Sequence, residues 1–145
     1  MQAKAFLRQL EKLDRMIENK LIEKSNLWGM ATNTVAEMRG ERVKSTSNPQ
    51  KMADAVNAMI DLDREIDACV DRLIDTKRDV ISVIEQLNAS EYDLLHKIYV
   101  QHIPLCDVAI KIDKSYSWVT TAHGRALKHV QDILDKRGEG NTWDT

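Results

Sequence analysis

The chain has 145 residues, of which 43% are apolar and 30% are charged, and it contains only five Gly and two Pro. This length suits one compact domain or a small domain joined to an extended helical element, and the composition excludes a disordered or predominantly β protein. The formal net charge of -2 excludes a protein that coats DNA through charge alone, because nonspecific affinity comes from neutralised phosphates.

The first predicted element is an amphipathic helix from about Ala3 to Lys24. Its apolar residues recur at alternating three- and four-residue steps, as amphipathic helices require. They are Ala3, Phe6, Leu10, Leu13 and Ile17, with Leu7 and Leu21 beside them. Residues 25–50 contain glycines, a proline and a polar run, so we interpret them as a long, mostly irregular loop, to which residues 27–38 could add a short helix.

The strongest periodic pattern follows this loop and continues the same alternation over eleven apolar or small positions. They are Met52, Ala55, Met59, Leu62, Ile66, Cys69, Leu73, Thr76, Val80, Val83 and Leu87. The pattern predicts a coiled-coil seam, with charged residues between its members on a solvated surface. A helix of roughly 50 to 60 Å cannot bury its own seam, so the first helix and a second copy of the chain are expected to cover it.

The pattern breaks at residues 88–91, where Asn88 or Ser90 is suited to cap a new helix. Pro104 stands at the start of another helix, and the last helix is expected from Ser115 to about Lys136. We therefore predict an all-α chain: a helical hairpin or coiled coil at residues 1–87, a helix-turn-helix domain at 88–137 and a flexible tail at 138–145.

The helix-turn-helix prediction depends on the spacing between Leu105 and Gly124. Ala109 is small enough for two helices to cross closely, and Asp113 tolerates the left-handed turn that Gly normally occupies. Ser115 can cap the next helix, which Val119 and Ala122 would hold against the first, with Val108 and Ile112 as further apolar supports. Similar helix pairs also occur as packing units that never touch DNA.

The opposite side of that last helix is the candidate DNA-binding surface. Its hydroxyls can contact base edges or phosphates, its Thr methyl groups can contact a thymine methyl, and its cations would grip phosphates. Trp118 either covers the core, which we favour, or lies against the sugar-phosphate backbone. The candidate residues are Ser115, Tyr116, Ser117, Trp118, Thr120, Thr121, His123, Gly124, Arg125 and Lys128.

Two stretches carry a family resemblance. Residues 99–130 read YVQHIPLCDVAIKIDKSYSWVTTAHGRALKHV and resemble region 4 of sigma-70 family factors, most clearly in the ending HGRALKHV. Residues 51–87 read KMADAVNAMIDLDREIDACVDRLIDTKRDVISVIEQL, and together with that motif they resemble small proteins of Gram-positive phages and prophages, of the RinA and ArpU type of late transcription regulators. The resemblance implies a helical, DNA-binding transcriptional role in a bacterial cytoplasm, but not a full sigma factor.

Other chemistry has little support in the residues. The four histidines lack the i, i+4 spacing of a metal site, Cys69 and Cys106 are far apart, and the acidic pairs lie on a solvated helix face. We expect no metal, no cofactor, no enzymatic activity and two ordinary buried thiols. The mixture of Lys4, Arg8 and Glu11 with apolar residues argues against a signal peptide, and no long apolar run predicts a membrane span.

The residue pattern favours a protein that binds double-stranded DNA as a homodimer, and the resemblance implies that it regulates transcription, with RNA polymerase as a further candidate partner. A single short recognition helix would bind weakly, whereas two linked copies gain effective concentration at paired half-sites. Two alternatives remain open. One is a small terminase subunit for phage DNA packaging, and the other is a helical adaptor that binds a protein such as RNA polymerase.

Overall fold

The computed structural model describes residues 2–39 and 49–141, with side chains over 2–32 and 49–138, and every regular element in these ranges is helical. The predicted all-α class, with an N-terminal hairpin and a C-terminal helix-turn-helix, is confirmed. The elements are α1 (Ala3–Arg39), α2 (Pro49–Ile84), α3 (Ala89–Leu95), a π-helical turn (His96–Val100), α4 (Leu105–Lys111) and α5 (Tyr116–Asn141).

The first helix is longer than its pattern predicts. α1 continues through residues 25–39 and α2 begins at Pro49, so the predicted irregular loop is wrong at both of its ends. Residues 27–38, where the sequence allowed a short helix, are helical as part of α1, and residues 40–48 lie outside the described residues. Gly29 disfavours a helix by about 1 kcal/mol, but Leu27, Met30 and the buried Ala31 are good helix formers, and packing against α2 offsets the loss.

The described parts of Leu13–Arg72 form one compact unit, the hairpin unit, made of the later part of α1 and the earlier part of α2. The two helices run antiparallel: Lys20 Nζ lies 2.9 Å from Glu65 Oε2, and Lys24 Nζ lies 2.7 Å from Asp63 Oδ1. The seam members within this unit are all buried or half-buried, as the pattern predicts. They are Met52, Ala55, Met59, Leu62, Ile66 and Cys69.

The described parts of Met1–Lys12 and Leu73–Thr145 form the second compact unit, the helix-turn-helix unit. Its larger apolar cluster joins the start of α1, the end of α2, the end of α3, the π-helical turn and α5. The fully or nearly fully buried members are Ala3, Phe6, Leu7, Leu10, Val80, Val83, Ile84, Leu95, Tyr99, Ala126 and Val130. The boundary predicted at residue 88 lies just after the end of α2. It differs from the division into compact units, because residues 2–12 and 73–87 pack with the helix-turn-helix unit.

Two further expectations need correction. α5 extends to Asn141, so the predicted tail is helical at residues 138–141, because Gly138 and Gly140 weaken a helix without forcing it to end; residues 142–145 lie outside the described residues. Cys69 is buried as expected, but Cys106 is exposed at the start of α4, so the expectation of two buried thiols is wrong for Cys106.

Removing core volume should destabilise the helix-turn-helix unit. Leu95 is fully buried in the larger cluster, so Leu95→Ala should lower the free energy of unfolding by about 2–5 kcal/mol through lost apolar burial and a residual cavity. Ile110 is 77% exposed, so the matched Ile110→Ala change should alter it by no more than about 0.5 kcal/mol. Urea unfolding followed by circular dichroism measures both, and equal losses would contradict this packing.

Candidate nucleic-acid interface

The turn between α4 and α5 is built as the sequence predicts. Asp113 has a φ of 56°, in the left-handed region. The Lys114 N–H donates to the Ala109 carbonyl at 3.0 Å and the Asp113 N–H donates to the Ile110 carbonyl at 3.2 Å. These two bonds form a Schellman motif, which satisfies the last carbonyls of α4 with Asp in the position that Gly usually holds.

The start of α5 is fixed by the predicted cap. Ser115 Oγ accepts a hydrogen bond from the Trp118 N–H at 3.0 Å, and the Ser115 carbonyl accepts one from the Val119 N–H at 3.1 Å. One of the donors left over at the helix start is therefore satisfied by a side chain. Because Asp113 and Ser115 act at the two ends of a three-residue turn, they set the direction of α5 relative to α4.

A small apolar cluster holds α5 against α4. Val108 and Val119 are fully buried, Ala109 is nearly so, and Leu94 joins them from α3. Ala122 and Ile112 are half-buried beside this cluster, as the spacing predicts. The small side chain of Ala109 lets the two helices approach, and the buried stripe of α5 leaves the opposite side of that helix in solvent.

We call that opposite side the exposed flank of α5. Its members are exposed throughout: Ser115, Tyr116, Ser117, Trp118, Thr120, Thr121, Gly124, Arg125 and Lys128. Tyr116, at the start of the helix, is 57% exposed. A Cβ built on Gly124 would meet nothing within 4 Å, so the flank is open at that position. Nine of the ten candidate residues therefore share one continuous surface.

The threonines of the flank are more restricted than the sequence suggests. Thr120 Oγ1 and Thr121 Oγ1 both donate to the Ser117 carbonyl, at 2.9 and 3.0 Å. Their hydroxyl protons are used within α5, whereas their oxygens keep lone pairs that can accept. The flank can thus accept hydrogen bonds from exocyclic amino groups, such as those of adenine and cytosine in a major groove.

Trp118 lies on the flank, where it is partly exposed, and whether it covers the core or contacts a sugar-phosphate backbone stays a prediction. Its ring is 40% exposed, and Lys114 Nζ lies 5.3 Å from the ring centroid. This cation–π contact adds a positive charge to the flank that the sequence analysis did not assign. Lys114 lies outside α5, before its cap residue Ser115, so helical spacing alone does not predict this pair.

His123 does not belong to the flank, which corrects its assignment as a candidate contact. It is half-buried, its Nε2 lies 2.7 Å from the Tyr99 hydroxyl, and the two rings stack with centroids 5.7 Å apart. His123 stands four residues after Val119 and three before Ala126, on the buried stripe of α5. Helical periodicity alone could therefore have separated it from the other nine residues.

A polar hollow of about 520 Å³ lies beside the flank, where the start of α3 meets α5. Asn88, Ser90 and Glu91 line one side of it, and Ser117, Thr121 and Arg125 are among the residues of the other side. Asn88 Oδ1 accepts from the Glu91 N–H at 2.9 Å, so the predicted cap of α3 is confirmed. The sequence analysis missed this contribution of α3, because only the packing of α3 on α5 brings the two segments together.

The Glu91 carboxylate also ties α3 to α5. His129 Nδ1 lies 2.8 Å from each of its oxygens, and the carboxylate is mostly buried, at 12% exposure. The hollow therefore has hydroxyl, amide and guanidinium groups available for a polar ligand such as a sugar-phosphate backbone.

Comparison of the chain with protein-family models, with curated proteins and with solved structures finds no match. Among the residues that the structure describes, no three His, Cys, Asp or Glu side chains group as a metal site would. None of the helices in the same ranges is long and apolar enough to cross a membrane.

The buried position of His123 predicts a pH dependence of stability. Burial lowers the pKa of His123 below its ordinary value of 6.5, and the positive charges of Lys4 and Arg8 lower it further. The unfolded chain therefore binds more protons near pH 6, so the contribution of His123 to stability is complete above about pH 7 and is lost as the pH falls through the unfolded value toward the lower folded one.

The variant His123→Gln isolates this effect. The difference in free energy of unfolding between wild type and His123→Gln should shrink as the pH is lowered from about 7.5 to 5.5, a window that spans the ordinary histidine value. Urea unfolding at several pH values measures this difference. A difference that stays constant, or grows on acidification, would show that the folded chain does not disfavour the charged imidazole.

Proposed function

We propose that this protein is a sequence-specific regulator of transcription that binds double-stranded DNA with the exposed flank of α5. The observation that carries the proposal is the division of α5: Val119 is fully buried against α4, while Thr120, Thr121 and Arg125 on the other side are exposed. A helix held on one side and polar on the other can enter a major groove without rearrangement. The resemblance to region 4 of sigma-70 family factors and to phage late regulators directs the proposal to transcription.

The proposed contacts divide into two kinds. Thr120 and Thr121 would accept hydrogen bonds from base amino groups and pack their methyl groups on thymine, contacts that carry sequence information. Lys114, Arg125 and Lys128 would hold phosphates, which fixes the register on the duplex and contributes a salt-dependent affinity. Trp118, which lies under Lys114, would cover a sugar at the edge of the groove.

We further propose that the hairpin unit joins two copies of the chain. This unit keeps large apolar side chains 41 to 63% exposed: Leu21, Ile22, Trp28, Met30, Val56 and Ile60. Leu21 and Trp28 are seven residues apart and share one side of α1, and Val56 and Ile60 are four apart and share one side of α2. A groove of about 410 Å³ lined by Trp28, Val56 and Ile60 would receive the same surface of a second copy related by a two-fold axis.

DNA binding is tested by selecting bound duplexes from a random-sequence pool and measuring affinity for the selected duplex and a scrambled one. Arg125→Ala and Lys128→Ala should weaken binding to both duplexes and each reduce the salt slope by about 1, because each removes a phosphate contact. Thr120→Val and Thr121→Val keep the side-chain shape but remove the oxygen. They should weaken the selected duplex alone, by roughly 5- to 150-fold.

Arg78→Ala is the matched control for charge. Arg78 is exposed on α2, next to Asp79. Asp79 forms an ion pair with Arg137, which lies twelve residues beyond Arg125 along α5. Arg78 therefore lies far from the flank, and its removal should leave affinity for both duplexes unchanged. Failure to select any duplex at low salt, or equal effects of Arg78→Ala and Arg125→Ala, would overturn the assignment of the flank.

The dimer is tested by introducing a charge into the apolar groove. Ile60→Glu should convert a dimer into a monomer in sedimentation equilibrium, because burying an unpaired carboxylate is unfavourable, and should lower affinity for paired half-sites at least about tenfold. Ile110→Glu changes a residue of the same type that is 77% exposed in the other unit, so that variant should remain dimeric. A monomeric wild type, or a ring of many subunits as DNA packaging would use, would contradict the dimer.

A further inference from the structure

A second cavity of about 160 Å³ lies within the helix-turn-helix unit, on the side of α5 that carries His123. Its polar lining comes from three segments of the chain. Lys4, Arg8 and Glu11 belong to α1, Tyr99 and His102 lie at and after the π-helical turn, and His123 belongs to α5. None of these residues belongs to the exposed flank, so the cavity is separate from the proposed DNA-reading surface.

The charges around this cavity are predominantly positive. Lys4 and Arg8 carry two full positive charges against the single carboxylate of Glu11, and both cations lie close enough to His123 to lower its pKa. Arg8 also acts on Tyr99, where its charge opposes the effect of burial, which raises the pKa of that hydroxyl. Groups of one sign gathered around a partly enclosed space create a strong local field that attracts an ion of the opposite sign.

The backbone beside the cavity is also unusual. His102 is one of two non-glycine residues in the described ranges with a positive φ, at 57°, and it directly follows the π-helical turn and Gln101. Both backbone conformations cost free energy, so they persist only where the surrounding structure compensates for that cost. Both are found most often at functional sites. The other such residue, Asp113, has its role in the turn before α5.

We propose that this cavity binds a phosphate group, held by the guanidinium of Arg8 and the ammonium of Lys4 and completed by the Tyr99 and His123 pair. Arg8 can offer two parallel N–H donors to two phosphate oxygens, and Lys4 adds a compact charge. The volume equals that of about five water molecules, which suits one phosphate group and excludes a nucleotide base beside it.

The Tyr99 and His123 pair can adapt to such an anion. When His123 is neutral, its Nε2 can accept from the Tyr99 hydroxyl and its proton then lies on Nδ1. When His123 is protonated, Nε2 donates to the hydroxyl oxygen, and the hydroxyl proton becomes free to bond the anion. Phosphate binding and proton uptake by His123 are therefore coupled, and Lys4, Arg8, Glu11 and His102 are the other charged or titratable groups around the pair.

The test uses the full chain with inorganic phosphate, and with chloride at equal ionic strength as reference. Phosphate should raise the melting temperature by at least about 4 °C at saturating concentration and should raise the pKa of His123 measured by nuclear magnetic resonance. Arg8→Gln and Lys4→Gln should remove both responses. Lys12→Gln is the matched control, because Lys12 is an exposed residue of the same helix that does not line the cavity, and it should keep both.

The source of the phosphate group is distinguished by the effect of Arg8→Gln on DNA binding. If the group belongs to the DNA backbone, this variant should weaken binding to selected and scrambled duplexes alike and reduce the salt slope by about 1. If the group belongs to a small free ligand, duplex affinity should stay unchanged while the phosphate response is lost. Either result supports the site. The phosphate response itself can be measured even if the chain binds no DNA.

Two results would overturn the proposal. One is a wild-type chain whose melting temperature and His123 pKa respond equally to phosphate and chloride. The other is an Arg8→Gln chain that responds to phosphate as Lys12→Gln does. If Arg8→Gln fails to fold, the wild-type titration alone decides the question.

Discussion

The direction of α5 depends on a stripe of buried side chains along one side of the helix. Part of this stripe packs in the smaller apolar cluster and part in the larger one. Val119 lies in the smaller cluster with Val108 and Ala109, and Ala126 and Val130 lie in the larger one. These residues are fully buried at steps of seven and four, which places them on one side of the helix. Because both clusters bury the same side of α5, its other side lies in solvent. His123 follows the buried stripe and therefore contacts Tyr99.

Features that depend on neighbouring residues could be predicted from the sequence. Asp113 has a left-handed backbone because few other residues tolerate it, and Ser115 and Asn88 cap helices because their side chains reach backbone donors three residues ahead. The seam of α2 could be predicted equally well, because an apolar period maintained over about ten helical turns is typical of a long helix with one covered side. The fold class and most of the exposed flank follow from such local chemistry.

Features that depend on tertiary contacts were missed or misjudged. The continuation of α1 past Lys24 requires a partner helix, and a pattern weakened by Gly29 does not indicate one. The cation–π contact of Trp118 with Lys114 was not predicted, because Lys114 lies before the cap of α5 and its position depends on the turn. Equally, no local signal places Lys4 and Arg8 beside His123, because that neighbourhood is set by residues more than one hundred positions apart.

The long sequence separation between the start of α1 and α5 affects when the helix-turn-helix unit can fold during synthesis. The Ala3 N–H bonds Gln131 Oε1 across 128 positions of sequence, so the core under α5 cannot close until nearly all of the chain has left the ribosome. The hairpin unit, which is complete at Arg72, can form earlier, and its formation shortens the effective loop that must still be closed. We expect the hairpin unit to fold early during synthesis, and the first twelve residues to join their own unit last, after the later helices have been made.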